Sequence, residues 1–214
     1  DLALFRRPVF VGSAVAVFMS RMLTIGGTVY LVQYFHGALH LDPTAVGLLL
    51  LPVFVAQIGA GMLGGKLLGR FHPGYVIAAG NICKVAGAVG LALAATPTAP
   101  AWLLVGPLLV WGTGGGLAGA PVFAVAMNVT EKRHAGMVAG TISSLASIGA
   151  GIGTAGLGVV YGSAVGAPPA PESIATATAL VLTCSAALAV LATVAVLILI
   201  SKRNLRTADL PKAG

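Results

Sequence analysis

Long apolar segments alternate with short polar joins along the whole chain, and this pattern indicates how the chain is organised. Six of the segments reach about the twenty residues that an α-helix needs to cross a hydrocarbon core about 30 Å thick. Proline and polar residues mark the joins between them. The predicted spans cover residues 9–35, 45–63, 75–95, 101–127, 135–161 and 174–200. The sequence therefore predicts an all-α membrane protein with six transmembrane helices.

The composition agrees with this class, because 57% of the residues are hydrophobic and only 8% are charged. A soluble domain needs about 25% charged residues to cover its surface. The net charge of +7 does not indicate nucleic-acid binding, since no basic cluster is interleaved with aromatic residues. We therefore expect a lipid bilayer around the chain and no nucleic acid as a partner.

The lysines and arginines fall almost entirely on one side of a six-span arrangement. Ten of the twelve lie before the first span, in the second and fourth loops, or after the last span. The three loops on the other side contain no lysine or arginine. Because cytoplasmic loops are enriched in these residues, both ends of the chain are predicted to be cytoplasmic. Residues 202–214 would then form a basic cytoplasmic tail.

The loop after the second span carries a motif. Residues 65–74 read GKLLGRFHPG. This loop resembles the G-x-L-a-D-R-x-G-x-R motif of the major facilitator superfamily, which joins the second and third helices of each six-helix half. Gly65, Leu67 and Arg70 match, whereas Gly69 stands where the family has its acidic residue. Such loss of the pattern is expected of the copy in the C-terminal half.

Three further segments, residues 2–10, 31–51 and 131–140, are similar to fourteen-span drug:proton antiporters of the EmrB/QacA type. The chain therefore resembles the C-terminal six-helix half of such a transporter. The resemblance implies a six-helix domain over residues 1–201, made of two inverted three-helix repeats at about 8–96 and 101–200. It also implies a substrate site near the midplane and alternating access by rocking of the two halves.

No acidic residue lies in a predicted span, because all five are in loops or tails. A proton-coupled antiporter needs a titratable group at depth. The resemblance implies that the titratable group is a carboxylate in a missing N-terminal half of the same polypeptide. The absence of methionine at residue 1 favours the same expectation.

Arg21 is the strongest candidate for a functional side chain. It lies 13 residues past Pro8, about 20 Å into the first span at about 1.5 Å per residue. Thr24 and Thr28 lie on the same helical face and extend it into a polar stripe. A charge at this depth costs at least about 2.5–3.5 kcal/mol unless it faces the bundle or water. Three interpretations stay open: a substrate contact, a partner for a carboxylate in the other half, or a structural arginine that bonds to carbonyls or snorkels.

Lys84 lies near the middle of the third span. Third helices of facilitator halves usually stand outside the cavity, which favours a packing or snorkelling role. The alternative is an inward-facing lysine, for which desolvation would favour the neutral amine and create a proton-linked switch.

Several neutral residues also lie at plausible depth. Gln57, Trp111 and Thr113 would suit a pocket for hydrophobic drug-like molecules. Tyr30 and Tyr34, near the outer end of the first span, are typical of interfacial anchors. In the loop motif, Gly65 and Arg70 are expected to clamp one conformational state, as the motif does in relatives.

The sequence lacks the common motifs of catalytic, nucleotide-binding and metal sites. It contains no His-Glu-x-x-His motif and no phosphate-binding Gly-x-x-x-x-Gly-Lys-Ser/Thr motif, and its two cysteines lack metal-site spacing. We expect no enzyme, cofactor or metal. The predicted function is export of small hydrophobic drug- or antibiotic-like compounds by proton antiport in a bacterial cytoplasmic membrane. The alternative is a stand-alone six-span channel-like or scaffold protein without ion coupling.

Overall fold

The structure, a computed structural model, describes residues 8–128 and 135–199 and contains six α-helices within them. Their bounds are Pro8–Gly37 (α1), Pro43–Leu67 (α2), Pro73–Ala94 (α3), Ala101–Asn128 (α4), Ala135–Val165 (α5) and Pro171–Leu199 (α6). Each helix contains a segment long and apolar enough to cross a membrane. The predicted fold class is confirmed. The predicted basic tail, residues 202–214, lies outside the described residues, as do the basic pairs before α1 and between α4 and α5.

Capping residues in the polar joins start two of the helices. The Asp42 carboxylate accepts hydrogen bonds from the backbone N–H groups of Thr44 at 3.1 Å and Ala45 at 3.3 Å. The His72 Nδ1 atom accepts one from the backbone N–H of Gly74 at 3.2 Å. In both cases a proline occupies the first turn, where its missing N–H is not needed. The Asp-Pro and His-Pro pairs therefore set where α2 and α3 begin.

Helices of the first half of the chain pack mainly against helices of the second half. The most extensive contacts join α2 to α4, α3 to α4, α1 to α5, α3 to α6 and α1 to α6. Exchanging the first three helices with the last three maps the α2–α4 pair onto α5–α1 and the α3–α4 pair onto α6–α1. This pairing is what two three-helix repeats would produce. The repeat limits at 8–96 and 101–200 stay a prediction.

Glycines allow neighbouring helices to approach closely. A Cβ atom on Gly116 of α4 would collide with the carbonyl oxygen of Gln57 on α2. On α5, a Cβ atom on Gly149 would lie 2.5 Å from the carbonyl oxygen of Phe18 on α1. Helices in lipid associate through such small-residue contacts because no hydrophobic effect drives them together.

Two tyrosines of α1 are buried in the bundle. The Tyr30 hydroxyl donates to the carbonyl oxygen of Thr154 on α5, and the Tyr34 hydroxyl donates to that of Thr96 before α4, both at 2.7 Å. The Tyr30 ring also packs against Tyr161, with 4.9 Å between centroids. The prediction of interfacial anchors is therefore wrong, because both side chains are packed inside the bundle, with exposed fractions of 7% for Tyr30 and 1% for Tyr34.

Candidate functional site

A partly open cavity of about 390 Å³ has walls formed by α1, α2, α4 and α5. Its lining residues include Arg21, Gln57, Gly115 and Ser147, one from each of these helices. Each of the four lies near the middle of its helix, so the cavity is at mid-depth. Among the residues that the structure describes, α3 and α6 contribute none to the lining.

Three of the predicted site residues meet in this cavity: Arg21, Thr24 and Gln57. Arg21 is exposed to the cavity, whereas Thr24 and Gln57 are half-buried. In the described part of the chain, no carboxylate lies within ion-pair distance of the Arg21 guanidinium. The α1 wall of the cavity therefore presents a positive charge without a negative partner from these residues.

The threonine stripe reaches the cavity at one position only. The Thr24 hydroxyl donates to the carbonyl oxygen of Ser20 at 2.8 Å, and the Thr28 hydroxyl donates to that of Thr24 at 2.7 Å. Thr24 lines the cavity, and Thr28 does not. Because its proton is used within α1, Thr24 offers the cavity an acceptor oxygen.

Trp111 and Thr113 lie on α4 outside the cavity lining. Trp111 is 5% exposed and belongs to the apolar core. Its ring packs on Gly27 of α1, and its backbone packs on Gly87 of α3, where an added Cβ would lie 2.5 Å from the Trp111 nitrogen. The Thr113 hydroxyl donates to the carbonyl oxygen of Val110 at 2.7 Å. The structure gives both residues packing contacts, and their substrate roles stay predictions.

Small polar residues missing from the sequence prediction also line the cavity. Ser20 of α1 is one, and Ser143 and Ser147 of α5 are two others. The two α5 serines are four residues apart and therefore share a helical face. The four-residue spacing could have identified these serines in the sequence. Unlike α1, however, α5 has no charged residue in its described length to indicate a polar face.

Lys84 lies behind the α1 wall of the cavity. Its side chain is 2% exposed, and its Nζ atom donates to the Ser20 Oγ atom at 2.7 Å. The stem passes over Gly114 of α4, where an added Cβ would be 2.8 Å from the Lys84 Cγ atom. The amino group therefore points into the bundle instead of snorkelling, one side chain away from the cavity. A proton-linked role for Lys84 stays a prediction.

The motif loop lies at the opposite end of α2 from the Asp42 cap. Gly65 and Arg70 are both exposed, and an added Cβ on Gly65 would meet nothing within 4 Å. The Arg70 backbone N–H closes a turn onto the carbonyl oxygen of Leu67 at 3.0 Å. Within the described ranges, the Arg70 guanidinium has no acidic partner, so its clamping role stays a prediction.

Six apolar helices, four of which line a partly polar cavity at mid-depth, define a multi-pass membrane protein. The family model of the Major Facilitator Superfamily matches residues 2–154, and the chain belongs to this superfamily. Membership in a superfamily of membrane transporters agrees with the prediction that the chain is not an enzyme.

Several curated relatives are efflux or resistance proteins. The chain is 29% identical to the drug efflux pump JefA of Mycobacterium tuberculosis over 169 residues, which cover 78% of this chain and 32% of that protein. It is 30% identical to the multidrug resistance protein Stp of Mycobacterium tuberculosis over 173 residues, or 80% and 32% of the two chains. It is 29% identical to the tetracenomycin C resistance and export protein of Streptomyces glaucescens over 170 residues, or 77% and 30%. The matched region is about a third of each relative's length.

Proposed function

We propose that this chain is the C-terminal six-helix half of a fourteen-span, EmrB/QacA-type transporter that exports small hydrophobic drug- or antibiotic-like compounds by proton antiport. The observation that carries the proposal is the cavity, whose walls come from α1, α2, α4 and α5 at mid-depth. The names of the efflux and resistance relatives support the same substrate class.

The cavity suits an amphipathic molecule. Val17 and Ile25 offer apolar surface, whereas Arg21 and Gln57 offer hydrogen-bond donors. Ligand sites commonly combine apolar walls with a few fixed polar groups in volumes of about 300–1,000 Å³. Because this cavity is partly open, a second half of the transporter would close it. Rocking of the two halves would then expose the site alternately to the two sides of the membrane.

Proton coupling is proposed to depend on carboxylates outside the described spans. The described acidic residues, Asp42 and Glu172, lie at the starts of α2 and α6. Lys66 and Arg70 lie at the other end of α2. This separation of charge supports a position in the bacterial cytoplasmic membrane with both ends of the chain cytoplasmic.

Export by the full-length protein tests the proposal. Cells with and without the complete gene are compared on a panel of antibiotics and dyes, and dye export is followed in vesicles with and without a proton gradient. We expect higher resistance to at least one hydrophobic compound and dye export that stops when the gradient is collapsed. Unchanged susceptibility together with gradient-independent leakage through the purified protein would favour a channel and contradict export.

A further inference from the structure

Lys84 connects a helix that does not line the cavity to a residue that does. Its Nζ atom donates to the Oγ atom of Ser20 at 2.7 Å, and Ser20 faces the cavity. Burying an amino group in a membrane span costs free energy, and such groups commonly mark functional sites. The described residues supply no carboxylate that would explain it.

The Lys84 bond fixes what Ser20 can offer. An ammonium group has donors and no acceptor, so the Ser20 oxygen accepts from Lys84 and its own proton must go elsewhere. Neighbouring hydroxyls of α1, those of Thr24 and Thr28, donate to carbonyl oxygens four residues earlier. No such bond is formed by Ser20 in the described part of the chain. Its hydroxyl is therefore available to donate to an acceptor in the cavity.

Arg21 adds a second donor beside Ser20. Its guanidinium has only donors and is exposed to the cavity. The Arg21 guanidinium and the Ser20 hydroxyl are therefore two donors on adjacent residues of the cavity wall, and a negatively charged oxygen group in the cavity would accept from both.

We propose that Ser20 and Arg21 form an anion-binding subsite of the cavity, which takes the carboxylate, sulfonate or phenolate oxygen of an otherwise apolar substrate. Lys84 is a positioning residue, because it acts on the substrate through Ser20. The apolar body of the substrate lies along Val17 and Ile25. This inference rests on the proposed export function and narrows its substrate class to amphipathic organic anions.

A matched pair of dyes tests the subsite. The anion 8-anilinonaphthalene-1-sulfonate and the neutral N-phenyl-1-naphthylamine share one aromatic body and differ by the sulfonate. Binding of each dye to the full-length protein in lipid nanodiscs is measured by fluorescence, and export of each is measured in proteoliposomes. We expect the wild-type protein to bind the sulfonate more tightly than the neutral dye.

Variants of the subsite separate its role from a structural one. We expect about tenfold or weaker sulfonate binding in each of three variants: Ser20→Ala, Arg21→Gln and Lys84→Met. Loss of one hydrogen bond to a charged group raises the dissociation constant by about that factor. Binding of the neutral dye should change less than about twofold, a small fraction of that loss. Lys66→Met, at an exposed lysine, and Ser185→Ala, at a buried serine of α6, are controls that should leave both dyes unaffected.

Each outcome bears on the inference separately from export itself. Equal losses of both dyes, with a lower melting temperature of the ligand-free variants, would show that the three side chains only hold the bundle together and would overturn the proposal. Unchanged sulfonate binding in Ser20→Ala and Arg21→Gln would overturn it as well. If the wild-type protein exports the neutral dye without preferring the anion, the inference fails and the export function stands. If it exports neither dye and protects cells against no drug, the proposed function fails.

Discussion

The interface between α2 and α4 provides a test of how tightly the bundle is packed. A Cβ atom on Gly116 would collide with the carbonyl oxygen of Gln57 and lie 2.7 Å from the backbone nitrogen of Gly61. Ordinary van der Waals contact begins at 3.4 Å, so the Gly61 contact alone requires Gly116→Ala to separate the two helices by about 0.7 Å, and the closer Gln57 contact requires more. Both obstructing atoms belong to the backbone, and no rotamer change can relieve the overlap.

The expected magnitude follows from these contacts. Adding a methyl group to a filled core costs about 1–3 kcal/mol, and a backbone obstruction puts this site at the upper end. Alanine recovers about 1 kcal/mol of helix propensity relative to glycine, which leaves a net loss of about 2 kcal/mol. For a chain of this size, each kcal/mol lowers the melting temperature by about 2–4 °C, so a decrease of about 4–8 °C is expected.

Thermal unfolding of the full-length protein in detergent, followed by intrinsic fluorescence, measures this decrease. Gly61→Ala is the matched control on the facing helix, because an added Cβ there would meet its nearest atom, the carbonyl oxygen of Gly116, at 3.9 Å. The control should melt at the wild-type temperature or slightly above it. A Gly116→Ala variant that melts as high as Gly61→Ala would refute the reasoning, since the same methyl group would then be tolerated on both sides of the interface.

Three other contacts give further predictions. Gly119 lines the cavity and Gly106 does not, although an added Cβ meets nothing within 4 Å at either position. Gly119→Leu should therefore reduce dye export and Gly106→Leu should not; equal export by both variants would contradict a substrate path through this cavity. Asp42→Ala removes the acceptor for two N–H groups at the start of α2 and should cost about 1 kcal/mol in thermal unfolding. Asp42→Asn should retain most of that stability, and identical melting of both variants would argue against the cap. Tyr30→Phe removes the bond between α1 and α5 and should destabilise the protein by about 1 kcal/mol, which the same melting assay checks against wild type.

The membrane spans could be predicted from the sequence because hydropathy is a local property. All six helices overlap the predicted spans, and α3 and α4 begin within about two residues of the predicted positions. Arg21 could be named as a candidate because a charge at that depth is costly and because Thr24 and Thr28 share its helical face. The helical spacing of residues and the free-energy cost of burying a charge were sufficient to predict these features.

The rest of the site depends on which helix packs against which. Trp111 is at cavity depth, but glycines on α1 and α3 leave room for it in the core, and those contacts are not visible in the α4 sequence. Lys84 reaches Ser20, 64 residues away in the chain, because α3 packs against α4 and α6, which both contact α1. No periodicity within a single helix reports such a pairing. The serines of α5 were overlooked for the related reason that small polar residues in a membrane helix usually serve packing.

The walls that α4 and α5 give to the cavity limit how its specificity can evolve. Gly115, Gly119 and Ala150 line these walls, and side chains this small have almost no atoms left to lose. If the cavity takes substrates as proposed, mutation there changes the size of accepted compounds in one direction, toward smaller ones. Room for bulkier compounds must come from the facing helices, where Ile25 and Gln57 still carry long side chains. Resistance to larger drugs should therefore arise through shortening changes at these two positions, while α4 and α5 stay as they are.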